Sequence, residues 1–210
     1  ATSALRGEDE RERVLAVAFR LLDRTAIRIG SPGYLRRYGS RGLTTLRWAD
    51  VTWRDTTITL SFRGKMNLIH TIEFDDEDLI AWIVSHPAHP PRAFVLRYRD
   101  GSRRRAIGPA DVNAFLAEAA GEPFTAKDFR TLHGTIVAAT ELARIGPRDT
   151  DSARRRAVSA AMRATAAALG NTPAVARSGY VDPRVLDLYD DGIVVDTGRR
   201  VEPQLGELLA

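Results

Sequence analysis

Tyr180 stands in the stretch GNTPAVARSGYVDP, residues 170 to 183, between Gly179 and the pair Asp182-Pro183. A phenol oxygen can attack phosphorus, provided other groups take up the charge and the proton that the attack displaces. Of the 31 basic residues in the chain, 29 are arginine; the two lysines are Lys65 and Lys127. Arginine holds its proton too tightly to donate it, whereas lysine releases one when its surroundings lower its pKa. A position kept as lysine in so biased a chain is a candidate proton donor. Arg28, just before Gly30, and Arg130, three residues after Lys127, are candidate clamps, because a guanidinium presents a planar fork of donors to phosphate oxygens. With Asn171 as a neutral donor, these residues make a set fit for metal-free phosphoryl transfer through a covalent enzyme intermediate. Each has a plainer reading. Tyr180 fits a ring that plugs the core between two helices, Arg28 a helix C-terminus, Asn171 a cap after Gly170, and the two lysines an accident of composition.

The elements that must position this set follow from periodicity. Residues 9 to 24 carry Val14, Val17, Ala18, Leu21 and Leu22 on one helical stripe. A turn at Gly30-Ser31-Pro32-Gly33 leads to a short helix from Tyr34 to Tyr38. Residues 42 to 74 are rich in Thr, Ile, Val, Trp and Phe and read as three strands. Their turns fall at Arg54-Asp55 and at Gly64-Lys65-Met66-Asn67, which puts Lys65 on a hairpin tip. Helical patterns follow at about 75–85, 109–120, 125–144, 152–169, 172–178 and 183–190, with starts at residues such as Asp75, Pro109, Thr125 and Asp151. Lys127 falls in the first turn of the helix opened by Thr125, where Asp128 completes a capping box. The pieces around Pro87, Pro90 and Pro91, and around Gly146-Pro147, read as loops. Strands first and helices after indicate an α+β chain, with a small antiparallel sheet near the N-terminal third and a mainly helical bundle after it. The division is expected between residues 1–74 and 75–210.

Charge narrows the partner. The net charge is +4 and the pI about 9.8, a footprint of polyanion binding. Arg20, Arg24, Arg28, Arg36, Arg37, Arg41 and Arg47 stand against Asp23 alone between residues 20 and 48, and residues 92 to 105 are similarly basic. Acids gather instead at Glu73, Asp75, Asp76, Glu77 and Asp78, so the field has a direction. There is no phosphate loop of the P-loop type and no His or carboxylate cluster with metal-ligand spacing. His86 and His89 flank Pro87 in an expected surface loop. No apolar run is long enough to span a membrane, and no leader pattern opens the chain. With no cysteine, the expected setting is cytoplasmic.

Four blocks carry a resemblance: LLDRTAIRIGSPGYLRRYGSRGLTTLRWADV, FRGK, TAKDFRTLHGT and LGNTPAVARSGYVDPRVLDLY. In that order and at these separations they resemble the type IB DNA topoisomerases, in their compact bacterial and poxvirus-like branch. The likeness runs from about residue 12 to the end and implies a catalytic domain similar to that of the tyrosine recombinases. It implies that Tyr180 becomes joined to the 3′-phosphate of a cut strand. Arg28 and Arg130 then stabilise the transition state, and Lys65 protonates the departing 5′-oxygen. Asn171 takes a place where eukaryotic and poxvirus members carry histidine. It implies a DNA-contacting surface at Tyr34, Arg36, Arg37, Arg41 and Lys127, whereas Tyr38 and Tyr189 are read as packing. The implied partner is duplex DNA and the implied form a monomer, associated with the nucleoid and needing no cofactor. The family's amino-terminal DNA-binding domain is expected to be absent from this chain. A tyrosine recombinase is the main alternative; those enzymes usually carry His-x-x-Arg, and this chain has Lys127-x-x-Arg130. A DNA-binding module without catalysis is the other.

Overall fold

The computed structural model describes residue 5, residues 7–86 and residues 89–209. The loop reading at Pro87 therefore lies outside the described residues. The chain divides into two compact units, residues 1–127 and 128–210, whereas the sequence placed its change of texture at residue 74.

The first unit opens with α1 (Glu10–Thr25), whose N-cap Asp9 accepts from the backbone N–H groups of Arg11 and Glu12. A short α2 (Pro32–Tyr38) follows, capped by Ser31 and ended by Gly39 at φ 66°. Two 3-10 turns, Leu43–Thr45 and Trp48–Asp50, occupy the start of the expected strand region. Then β1 (Val51–Arg54), β2 (Thr57–Arg63) and β3 (Ile69–Asp75) form one antiparallel sheet with Val51 opposite Leu60 and Thr57 opposite Asp75. The alternation of β2 buries Ile58, Leu60 and Phe62. Ile58 and Leu60 meet Val17 and Leu21 of α1 and Leu79 and Ile83 of α3 (Glu77–Ser85) around a small internal cavity.

Beyond α3 lies an unexpected element, a two-stranded hairpin of β4 (Arg97–Asp100) and β5 (Arg103–Ala106). Helix α4 (Pro109–Ala120) closes the unit. Its N-cap Gly108 donates its backbone N–H to Asp111 at 2.9 Å. Buried ion pairs knit these parts. Asp76 accepts from Arg20 at 2.7 Å and from Arg24 at 3.2 Å, and also caps α3 through the Leu79 N–H at 3.0 Å. Burial alone would raise the Asp76 carboxyl; the hydrogen bonds from Arg20, Leu79 and Arg24 outweigh it and hold the group below its ordinary value.

The second unit is helical: α5 (Ala126–Ile145, its first two residues counted with the first unit), α6 (Asp151–Leu169), α7 (Pro173–Gly179), α8 (Pro183–Asp190) and α9 (Val201–Leu208). Helix α6 buries Ala157, Val158, Ala161, Met162, Thr165, Ala166 and Leu169 along one stripe. Its partners in the core include Leu142, Val181, Val185, Leu186 and Leu205. Tyr189 is packing, as expected: its ring is buried and its hydroxyl donates to Gly146 O at 2.9 Å, satisfying a carbonyl where α5 ends.

Candidate active site

In the first unit Arg28 lies past the end of α1, not at it. The helix stops at Thr25 and Ala26 caps it at φ 45°, so the helix-terminus reading does not apply. The segment after it is fixed by backbone bonds from Leu43 N to Arg28 O and from Thr44 N to Ile29 O, both 2.9 Å. Two glycines permit this crossing. A Cβ on Gly42 would stand 2.4 Å from Arg28 O, and one on Gly30 would meet the Gly42 backbone at 2.9 Å. Gly30 was visible as a breaker; the need for Gly42 was not, because it arises from a contact between distant segments.

Lys65 stands on the turn between β2 and β3, as expected, with an exposed side chain. Met66 and Asn67 beside it take left-handed backbone, φ 60° and 64°. Gly64 fixes the root of the turn. A Cβ there would stand 2.3 Å from the His70 ring, which stacks on Phe62 with centroids 5.5 Å apart. Lys127 is exposed in the first turn of α5.

Helix α2 buries none of its residues. Tyr34 is 60% and Tyr38 55% exposed. Their rings lie 5.6 Å apart, and the Arg37 guanidinium carbon sits 5.3 Å from the Tyr38 centroid. Tyr38 is thus part of an open aromatic and basic face with Tyr34, Arg36 and Arg37, which corrects its reading as a packing residue. Arg41 differs from its neighbours. Its guanidinium bonds Asp50 at 2.8 Å, and Asp50 also accepts the Arg47 N–H at 2.9 Å. It has a structural partner, which its grouping with the open face did not foresee.

In the second unit Arg130 and Tyr180 come together. Arg130 is only 5% exposed. Its Nη2 donates to Leu169 O at the end of α6, 2.8 Å away, and its guanidinium carbon lies 4.9 Å from the Tyr180 ring centroid. The backbone at Tyr180 is closely held. Tyr180 N donates to Ala176 O at 3.0 Å, and Asp182 N donates to the Thr135 hydroxyl at 3.0 Å. Gly134, on α5 one turn beyond Arg130, allows the approach: a Cβ there would stand 2.1 Å from Tyr180 O. Gly134 and Thr135 are positioning residues that the sequence reading missed; the signal was a lone glycine inside a helical pattern.

Asn171 sits where α6 ends. Gly170 takes φ 60°, its N–H bonds Ala167 O at 3.3 Å, and the Asn171 N–H bonds Ala166 O at 2.8 Å. These two backbone bonds make a Schellman arrangement. The next helix is capped by Thr172, whose hydroxyl accepts from Val175 N at 3.3 Å.

A guanidinium fixed beside a tyrosine ring, on a helical scaffold with an open basic face elsewhere in the chain, has the character of a phosphodiester-handling enzyme. A family model described as eukaryotic DNA topoisomerase I, catalytic core, matches residues 1–193. The chain belongs to that family, as a type IB topoisomerase catalytic domain. A DNA topoisomerase 1B of Acanthamoeba polyphaga mimivirus is 26% identical over 189 residues, covering 86% of this chain and 56% of that protein. The chain thus spans about half the length of the curated relative it matches.

Proposed function

We propose that this chain relaxes supercoiled duplex DNA by cutting one strand, letting it rotate and resealing it. Tyr180 attacks the scissile phosphorus and gives up its phenolic proton to water, forming a 3′-phosphotyrosyl bond as the bond to the 5′-oxygen breaks. Lys65 gives that oxygen its proton; Arg28 and Arg130 stabilise charge on the nonbridging oxygens, with Asn171 donating one neutral hydrogen bond. Resealing runs the same steps backward. The phosphotyrosyl ester keeps the energy of the backbone bond, so the cycle calls for neither ATP nor a metal. Tyr34, Arg36, Arg37 and Lys127 contact phosphates, which positions the protein without reading much sequence. The setting is a bacterial cytoplasm, the protein acts as a monomer at the nucleoid, and its fold is of the tyrosine recombinase type.

The observation that carries this reading is the Arg130–Tyr180 pair, with the guanidinium carbon 4.9 Å from the ring centroid. The Gly134 clearance supports it, since it holds the tyrosine backbone against the helix that bears the arginine. The test is incubation with supercoiled plasmid in EDTA without ATP. Relaxed topoisomers and a protein–DNA adduct stable in SDS are expected. Tyr180→Phe removes one oxygen and should abolish both while leaving DNA binding intact. An adduct formed by Tyr180→Phe would show that another group is the nucleophile, and assembly on paired sites with strand exchange would favour a recombinase.

A further inference from the structure

The first unit contains an aromatic cavity that the proposed reaction does not use. Trp48 stacks on His89 with centroids 4.7 Å apart and planes 21° apart, and on Trp82 at 5.9 Å and 14°. His86 lies 4.4 Å from the Trp82 ring. Its Nδ1 is 2.6 Å from Trp82 O and must donate there, since a carbonyl only accepts. These rings, with Arg97 and Arg104 of the β4–β5 hairpin, line a space of about 290 Å³. Trp82 is buried, but Trp48, His86, His89 and Arg97 are only half-buried. A cluster serving as core alone would be closed over.

The charge around this space is one-sided. No carboxylate is among the described residues that line it. The register pairs Arg99 with Arg104 and Tyr98 with Arg105. Strand alternation therefore puts Arg97, Arg99 and Arg104 on one face and Asp100 and Arg105 on the other. The hairpin's acid is engaged there, Asp100 to Arg105 at 2.8 Å. Burial first, then the neighbouring Arg104, His86 and Arg97, hold His89 below its ordinary value. The ring is a neutral stacking surface at pH 7, and the arginines supply the fixed positive charge.

We propose that this cavity binds a nucleobase carrying a phosphate. Near-parallel rings accept a planar heterocycle, and the two guanidinium groups match phosphate oxygens. Ligand pockets usually run roughly 300–1,000 Å³, so a space of about 290 Å³ suits one nucleotide and no more. Two sources share this chemistry: a free mononucleotide, and an unstacked nucleotide of single-stranded DNA, which proteins commonly hold by aromatic stacking in a positive groove. The site is independent of Tyr180, so it stands or falls apart from the cleavage reading.

The experiment follows fluorescence of Trp48 and Trp82 in a Trp53→Phe background; Trp53 is 46% exposed on β1 and would otherwise dilute the signal. The chain is titrated with dAMP and with single-stranded oligo(dA), against deoxyadenosine and inorganic phosphate. A saturable response to dAMP, or to the strand, is expected at concentrations where deoxyadenosine and phosphate do nothing. Arg97→Gln with Arg104→Gln should weaken it about tenfold or more, the loss expected from charge-assisted hydrogen bonds, with circular dichroism unchanged. A response confined to dAMP assigns the site to free nucleotides, and tighter binding of oligo(dA) assigns it to a strand. No saturable response to either, an equal response to deoxyadenosine, or indifference to the double arginine variant overturns the proposal. None of these titrations requires cleavage, so plasmid relaxation fails or succeeds separately.

Discussion

The two units handle charge in opposite ways. In the first, buried ion pairs hold the structure: Asp76 against Arg20 and Arg24, and Asp50 against Arg41. Lys65, its candidate proton donor, stands exposed on a turn. In the second, alanine, valine and leucine make most of the core, and among the described residues of that unit the buried arginine is Arg130, beside Tyr180. Acid pairs in that unit, such as Asp182 with Arg184 and Glu141 with Arg144, lie at the surface and carry little stability. Arg130 and the Tyr180 backbone are thus fixed by packing and hydrogen bonds. Lys65 is open to solvent. In the proposed reaction that difference separates a group whose charge matters, Arg130, from one whose proton matters, Lys65.

The largest expected effect tests that separation directly. General acid catalysis contributes roughly 10²–10⁴-fold, so Lys65→Ala should slow cleavage of ordinary DNA by that order. Lys65→Arg should restore little, because arginine keeps the charge and holds its proton. With sulfur in place of the bridging 5′-oxygen, the leaving thiolate needs no protonation. Single-turnover cleavage of that substrate by Lys65→Ala should approach the unmutated rate, whereas Arg130→Ala should stay slow. Equal Lys65→Ala defects on both substrates would assign the lysine to charge or positioning.

The second effect concerns stability. Breaking a fully buried ion pair costs about 3–5 kcal/mol; Asp76→Ala should cost less than that, because Arg20 keeps Asp78 at 3.2 Å and Arg24 is half exposed. The sign with pH follows from the lowered Asp76 carboxyl. Its contribution is complete above the unfolded-state pKa and disappears as pH falls through the lower folded-state value. All three tryptophans, Trp48, Trp53 and Trp82, belong to the first unit. Tryptophan fluorescence should therefore change on acidification before far-ultraviolet helicity is lost. Coincident acid transitions by both probes would contradict the contrast between the units.

Much of this scaffold was legible in the sequence. The stripe of α1, the three strands, the turn bearing Lys65 and the helices from α3 to α8 all follow from periodicity and breakers. Other parts were hidden for physical reasons. The residues of β4 and β5 are nearly all polar and exposed, so no alternation marks them; only Asp100-Gly101 hinted at a turn. Helix α9 carries Pro203 in its first turn and buries one side chain, Leu205. Leu43–Thr45 reads as strand by propensity but is a 3-10 turn, because its backbone must meet Arg28 and Ile29. Arg41 resembles Arg36 and Arg37 until Asp50 is seen beside it. The candidate residues were nameable by type, whereas Gly42, Gly134 and Thr135 act through contacts that a linear reading does not contain.

A smaller effect probes how firmly packing holds Tyr180, the proposed nucleophile. Gly134→Ala puts a methyl group where Tyr180 O stands 2.1 Å away. Something must move, and overpacking typically costs about 1–3 kcal/mol. The mutant should lose stability in the second unit and cleave more slowly, with DNA affinity retained. Hydrogen exchange gives a companion reading: faster exchange at residues 180–182 is expected, where Asp182 N is bonded to Thr135. An unchanged cleavage rate would mean that the position of Tyr180 does not depend on this contact.

The smallest effect separates arginines that face solvent from arginines that hold acids. Each phosphate contact contributes about −0.9 to the slope of log affinity against log salt. Arg36 and Arg37 lie on a helix that buries nothing, so Arg36→Ala should flatten the slope by about 0.9, and the double variant with Arg37→Ala by about twice that. Affinity should fall evenly across DNA sequences, since phosphate contacts carry no base information. Arg41→Ala should behave differently. It removes the partner of buried Asp50, so its main cost is stability, and the salt slope should hardly change. The slopes come from binding isotherms at several salt concentrations with one duplex, and the stabilities from denaturant titration of the same preparations. If Arg41→Ala flattens the slope as much as Arg36→Ala does, the Asp50 pair opens on DNA and Arg41 belongs to the contacting face after all. If neither α2 variant changes it, the open face of Tyr34, Arg36, Arg37 and Tyr38 is not where the phosphates lie.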